Sequence, residues 1–216
     1  LKENDLDLKA ILITHHHYDH TGGIEEILNK KSIDVYGPEN DINLINVRVS
    51  NESKISLLGI EFEVIEIPGH TLDHVAFFSE NNGNPILFCG DTLFAGGCGR
   101  VFEGTFEQMY DSLSILKKLP LNTKVYSGHE YTESNLKFAT NVEPLNQKLI
   151  SRYNEVIKLR RQGLSTLPTT IELELETNPF FRVGQNEVQK LISEKFNTPR
   201  NNKDIFTAVR QWKDNF

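Results

Sequence analysis

The chain has 216 residues, enough for one compact domain or for one domain with a smaller partner. Hydrophobic residues make up 38% and charged residues 25%, a globular mixture that excludes a disordered chain. The net charge of −7 excludes a general affinity for nucleic acid or anionic membrane, so an anionic substrate must meet a local cluster of basic residues.

Residues 8–13 are a short apolar run ending at Thr14, the pattern of a buried strand. Gly22-Gly23 precede a helix over Ile24 to Lys30, and Ile33 to Tyr36 read as a strand before Gly37-Pro38. Residues 55–67 are strand-like on both sides of a Gly59 turn and stop at Pro68-Gly69-His70. Val75 to Phe78 and Ile86 to Cys89 are two buried strands joined by the Asn81 to Asn84 turn. Thr105-Phe106-Glu107-Gln108 has the capping-box pattern and opens a helix to about Leu119. Val125 to Ser127 is a last strand before Gly128-His129. Beyond it the pattern is helical. Residues 144–161 carry a 3.6-residue stripe of Leu145, Leu149, Ile150, Tyr153, Val156 and Ile157 that ends at Gly163. Thr169-Thr170 cap a short helix to Asn178-Pro179, and two more helices follow near 185–195 and 201–215. The expected organisation is an α/β metal-binding domain over 1–131 and a helical substrate-binding domain over 132–216.

No apolar run approaches the roughly 18 residues of a membrane span, and no signal peptide is expected. Cys89 and Cys98 are too few for a disulfide framework and lack CxxC spacing. They point to reduced thiols and a cytoplasmic protein.

All seven histidines fall in three places: 15–20, 70–74 and 129. Thr14-His15-His16-His17-Tyr18-Asp19-His20 stands just past a strand. A turn there can point His15 and His17 one way and Asp19 and His20 another, offering two ligand groups to two adjacent metals. His70, Asp91 and His129 each follow a strand and a glycine, and strand ends along one sheet edge converge on one crevice. Alone, a His after Pro-Gly or an Asp after Gly is ordinarily a turn residue. Their joint occurrence, in this order, favours a ligand set. His16 alternates away from its neighbours and is left out of that set, and His74 is expected to hydrogen-bond a ligand rather than be one.

With His15, His17, Asp19 and His20 matching HxHxDH, followed by His70, Asp91 and His129, the chain resembles the metallo-β-lactamase superfamily. That resemblance implies an αβ/βα sandwich of two mixed sheets with helices outside, followed by a helical C-terminal domain. Family members carry the opening strands of the first sheet before this point, so the sandwich is expected to be N-terminally incomplete, with the chain beginning in the helix before the motif strand. The segments Gly90-Asp91-Thr92-Leu93-Phe94, Gly97-Cys98-Gly99-Arg100, Phe102-Glu103-Gly104-Thr105 and Gly128-His129-Glu130-Tyr131-Thr132 are similar to those of glyoxalase II, the hydroxyacylglutathione hydrolases. So are Asn178-Pro179-Phe180-Phe181-Arg182 and Arg210-Gln211-Trp212-Lys213-Asp214.

By that resemblance His15, His17 and His70 hold a first divalent metal, and Asp19, His20 and His129 a second. Asp91 bridges them, and Asp19 and Asp91 are the catalytic carboxylates. Zinc is the expected metal, with iron or manganese also compatible with the donors. Arg100, Tyr131, Arg210 and Lys213 are implied to bind glutathione, and Phe102 stands where many members have a Tyr. The implied reaction is hydrolysis of S-(2-hydroxyacyl)glutathione, such as S-D-lactoylglutathione, by a metal-bridged hydroxide. The small-molecule thioester is the expected partner, with no nucleic acid or membrane, and the chain is expected to be a monomer. The alternative is a mononuclear-iron glutathione persulfide dioxygenase of the same superfamily, which would not need Asp19 and His20 as a second ligand group. A superfamily hydrolase of lactones or phosphodiesters, and a non-enzymatic metal binder, are further readings. The net charge and the complete ligand set weigh against them.

Overall fold

The computed structural model describes residues 2–216. After a single 3-10 turn at Lys2–Asn4, where the chain was expected to begin in a helix, the elements in chain order are β1 (Ala10–Leu12), α1 (Tyr18–Thr21), α2 (Ile24–Leu28), β2 (Asp34–Pro38), β3 (Val47–Val49), β4 (Lys54–Leu57), β5 (Ile60–Glu66) and β6 (Val75–Ser79). There follow β7 (Ile86–Gly90), β8 (Leu93–Phe94), β9 (Gly97–Cys98), α3 (Phe106–Leu116) and β10 (Lys124–Ser127). The remainder is α4 (Thr132–Val142), α5 (Gln147–Arg161), β11 (Thr169–Thr170), α6 (Ile171–Thr177), α7 (Asn186–Phe196) and α8 (Asn202–Asp214). Strands β1-β2-β3 form a parallel sheet. A six-stranded sheet runs β11-β10-β7-β6-β5-β4, with β10 and β7 parallel and its other pairs antiparallel.

The layers follow from side-chain alternation along the strands. Val75 and Phe77 of β6, with Ile86 and Phe88 of β7, face Leu12, Tyr36 and Val49 of the small sheet. Ala76, Phe78, Leu87 and Cys89 point the other way, onto Met109, Leu113 and Leu116 of α3 and the C-terminal helices. Both faces of β6 are covered, so it reads as an unbroken apolar run, and all five of its residues are buried. The outer face of the small sheet packs Ile13 and Val35 on Ile24 of α2. The order is therefore helix, sheet, sheet, helices, as an αβ/βα sandwich requires. The last layer is continuous with the helical segment, since Phe138, Ile171, Phe180, Ile192, Phe206 and Val209 share one core with the sheet.

Local signals are realised at several termini. Thr105 and Gln108 form the reciprocal capping box of α3, with Thr105 Oγ1 accepting from Gln108 N at 3.1 Å and Gln108 Oε1 from Thr105 N at 2.8 Å. Thr170 caps α6, accepting from Leu173 N. Other expectations need correction. Leu145 lies outside α5, 81% exposed, and Asn146 caps that helix, so the buried stripe begins at Leu149. Strand β3 was not expected, and Thr169-Thr170 also form β11, an edge strand beside β10. Such short edges carry too few residues to show a period of their own.

Candidate metal centre and adjoining cavity

The chain leaves β1, bends at Thr14 and His15, and enters α1, whose N-cap is His17. His15 and His17 stand before that helix, whereas Asp19 and His20 leave from its first turn, so the change in backbone direction separates the two pairs. His70 follows β5. Asp91 and His129 follow β7 and β10, whose parallel pairing brings their C-terminal ends side by side. Two glycines permit the close approach. A Cβ on Gly128 would stand 2.4 Å from Asp91 Oδ1, and one on Gly90, where φ is +47°, would stand 2.4 Å from Thr14 Oγ1.

All seven expected ligands converge. His15, His17 and His70 place ring nitrogens within 4.8 Å of one another, with His17 Nδ1 and His70 Nε2 3.1 Å apart. Asp19, His20 and His129 form a second group, in which Asp19 Oδ2 lies 3.1 Å from His129 Nε2 and 3.5 Å from His20 Nε2. Asp91 stands between the groups. Its Oδ1 is 3.3 Å from His20 Nε2, and its Oδ2 is 3.6 Å from His70 Nε2 and 3.5 Å from His129 Nε2.

These separations suit cations. A tetrahedral ion with bonds of about 2.0–2.1 Å to nitrogen holds its donor atoms about 3.3–3.4 Å apart. His15 Nε2, His20 Nε2 and Asp91 Oδ1 are also buried without a hydrogen-bond partner. Although His20 and Asp91 are close enough to couple electrostatically, they are not aligned to satisfy each other. Buried lone pairs left in this way are costly unless a cation takes them. Burial holds His15 and His70 below the ordinary histidine range, leaving neutral imidazoles with a pair to donate. Burial alone would raise Asp91, but His20 beside it outweighs that and holds the carboxyl below its ordinary range.

His74 bonds to a candidate ligand, as expected of it, and His16 lies outside the candidate set. His74 Nε2 accepts from Asp91 N at 3.1 Å, and its ring stacks on His15 at 4.5 Å. Burial pushes His74 down to about 3, so it stays a neutral acceptor. His16 turns away from the centre, onto Asp73 and Glu103.

A cavity of ≈ 330 Å³ opens beside His70 and Asp91, and Arg100, Tyr131, Arg210 and Lys213 all line it. Their states differ. Tyr131 stacks on His129 at 5.2 Å and 17°. Arg100 is exposed, and its Nε lies 3.4 Å from Asp214. Arg210 is only 3% exposed, and its terminal amines donate to Cys98 O at 2.7 Å and Asp214 Oδ1 at 3.1 Å. Its buried Nε has no partner, so Arg210 builds the wall as much as it offers charge. Phe102 sets its ring edge-on to His17 and His70, at 5.8 and 5.2 Å between centroids. Phe94, Ser134 and Asn135 complete the lining and were not expected there. Asp214, which the sequence shows only as part of a closing motif, pairs with Arg210 one helical turn away and with Arg100, and so sets how much positive charge the cavity presents. Burial pushes the Cys98 thiol to about 11 and Cys89 to about 12, and neither is a nucleophile at neutral pH. A larger cavity of ≈ 670 Å³ lies apart, against Leu145, Leu191 and Trp212. It holds none of the candidate metal ligands, so the smaller one is taken as the site.

The family model described as "Metallo-beta-lactamase superfamily" matches residues 1–129, and "Hydroxyacylglutathione hydrolase C-terminus" matches residues 130–216. The hydroxyacylglutathione hydrolase of Idiomarina loihiensis is 46% identical over 217 residues, covering 100% of this chain and 84% of the relative. That of Pseudomonas aeruginosa is 46% identical over 214 residues, covering 98% and 83%. Among solved structures, ETHE1 from Myxococcus xanthus matches with a TM-score of 0.63 at 28% identity, covering 98% of this chain and 79% of that one. TTHA1623, solved in a di-iron-bound form, matches with a TM-score of 0.56 at 26% identity, covering 83% and 80%.

Proposed function

The chain belongs to the hydroxyacylglutathione hydrolases of the metallo-beta-lactamase superfamily, and from that premise we propose how its residues divide the work of cleaving an S-(2-hydroxyacyl)glutathione thioester. The products are glutathione and a 2-hydroxy acid. One observation supports the assignment of roles: the seven candidate ligand side chains gather in adjoining groups, and His70 and Asp91 among them also line the cavity that Arg100, Arg210 and Lys213 border.

His15, His17 and His70 would hold one divalent cation and Asp19, His20 and His129 another, with Asp91 shared. The di-iron form of TTHA1623 supports a two-metal reading. Zinc is the cation we assign, on the balance of imidazole and carboxylate donors. Such a pair, when bound, makes water a nucleophile near neutral pH and polarises the carbonyl under attack. The protein supplies the rest. His74 Nε2 accepts from Asp91 N and so fixes the backbone of that carboxylate. To Asp19, whose side chain is 58% exposed, we assign the proton of the attacking water. The departing thiolate is a weak base and needs no strong acid. Because both cysteines are held as thiols, we assign direct attack by water rather than an acyl-enzyme.

Arg100, Arg210 and Lys213 would meet the glutathione carboxylates, and Tyr131 would line the thioester end. In this division residues 1–131 furnish the metal centre and part of the cavity wall, and 132–216 add Ser134, Asn135, Arg210 and Lys213 to that wall. We further assign a cytoplasmic monomer acting on a small molecule, with no nucleic-acid or membrane partner, in keeping with the charge of −7. No helix among the described residues is long and apolar enough to cross a membrane. The dioxygenase alternative is disfavoured by the second ligand group, which a mononuclear site would not need.

The direct test is hydrolysis of S-D-lactoylglutathione by the zinc-loaded protein, with His129→Ala as control. The wild type should turn over, while the control should bind about one metal equivalent fewer and lose at least about 10²-fold in kcat. Oxygen uptake with glutathione persulfide, and no thioester cleavage, would favour the dioxygenase.

Lys213 gives a prediction in pH. Burial, aided by Arg210, lowers its ammonium to about 8. It is therefore charged below pH 8 and loses its charge as pH rises through that value. The profile of kcat/KM reports groups of the free enzyme, so kcat/KM should fall above about pH 8 through a rising KM, with kcat following less. Lys213→Arg should remove that inflection. A descending limb unchanged in the Arg variant would take Lys213 out of the anchor.

A further inference from the structure

His16 lies between two ligands of the first cation but directs its ring the other way. Its Nδ1 is 2.9 Å from Asp73 Oδ1, and its Nε2 is 3.0 Å from Glu103 Oε1. Both carboxylates are anchored elsewhere. Asp73 also accepts from Thr71 Oγ1 at 2.6 Å and from Asn40 Nδ2 at 2.8 Å, beyond the end of β2. Glu103 accepts from Leu72 N at 3.0 Å through its other oxygen. The loop bearing Glu103 is clasped to His70 as well: Phe102 N donates to His70 O at 3.2 Å, and His70 Nδ1 lies 2.7 Å from Arg100 O.

We infer that His16 is a positioning residue, a strut that joins the His15–His17 turn to the Asp73 and Glu103 loops and so sets the three imidazoles of the first cation site at their mutual spacing. The inference rests on the reading of His15, His17 and His70 as ligands of that cation. Three reasons favour a strut over an ordinary surface histidine. Both ring nitrogens are engaged, each by a different loop. The residue joined through Glu103 and Leu72 is two positions from His70, and the one joined through Asp73 is three, so the circuit closes around that ligand. The second group touches the circuit through the backbone alone, His20 N donating to His17 O at 3.0 Å; among the described residues the side chains of Asp19, His20 and His129 make no hydrogen bond to it, so the strut acts chiefly on one site of the two. Partners that orient metal-bound histidines are worth about 10–100-fold in affinity, and His16 orients by holding the backbone on both sides of the ring set.

The test measures stepwise zinc affinity by chelator competition on the full chain, alongside cobalt(II) absorption spectra. His16→Ala, Glu103→Gln and the double variant are compared with wild type, with His129→Ala as the second-site reference. His16→Ala should weaken the first-site cation about 10–100-fold and alter its cobalt spectrum, leaving the second site within about threefold. The double variant should be little worse than either single one, because the strut fails as a unit. Equal weakening of both sites would mean general loosening and would overturn the inference. So would an unchanged first site, or strictly additive losses. If the wild type bound no zinc, the metal-centre reading itself would fail, a result distinct from any of these.

Discussion

Asp91→Asn should cost at least about 10³-fold in kcat/KM, about 4 kcal/mol of transition-state stabilisation. Asp91 is the one carboxylate that reaches both ligand groups, through Oδ1 to His20 and Oδ2 to His70 and His129. An amide keeps the volume but removes the charge, and it turns an N–H₂ donor toward atoms that must themselves donate lone pairs to a cation. The backbone bond to His74 Nε2 survives the substitution, so the fold should hold while zinc content falls below two equivalents. Metal analysis beside steady-state kinetics decides it. Two retained equivalents with activity within tenfold of wild type would show that the shared carboxylate has no special part.

Glu174→Ala should destabilise the chain by about 3–5 kcal/mol, the range for leaving one partner of a buried ion pair alone. Arg152 Nη2 meets Glu174 Oε1 at 2.7 Å, with side-chain exposures of 6% and 0%. Thr169 Oγ1 donates to the same oxygen, and Gly96 N and Asn178 Nδ2 donate to the other, both at 2.8 Å. Removing the carboxylate leaves the buried guanidinium without its counter-charge and takes an acceptor from three further donors. Asn178 also donates to Phe94 O and Gly97 O, so the network pins the β8–β9 hairpin, which carries Phe94 and Cys98 to the cavity wall. A fall in urea midpoint at unchanged slope measures the loss, and Glu174→Gln, which keeps an acceptor, should lose less. A midpoint shift worth under about 1 kcal/mol in the Ala variant would contradict the account.

Much of the site was legible in the sequence because metal ligation constrains residue type. The seven candidate ligands, the exclusion of His16 and the hydrogen-bonding place of His74 all follow from residue identity, spacing and the glycines at strand ends. Elements β5, β6, β7, α3 and α5 were equally open to reading, since apolar runs, a capping box and a 3.6-residue stripe are local. The reading weakened where the pattern was short, as at β3 and β11, or where an apolar residue belonged to a linker, as at Leu145.

The order of ligands, the two-sheet sandwich and its helical complement were thus determined by the chain itself. Tertiary structure alone decided which polar groups pair across it. It committed Arg210 to Cys98 and Asp214, set Glu174 and Asn178 beneath the β8–β9 hairpin, and aimed His16 at Asp73 and Glu103. The physical reason is range. Strand and helix patterns arise between residues a few positions apart, whereas these partners lie as far as 112 positions from one another and meet only because the packed core brings their backbones together.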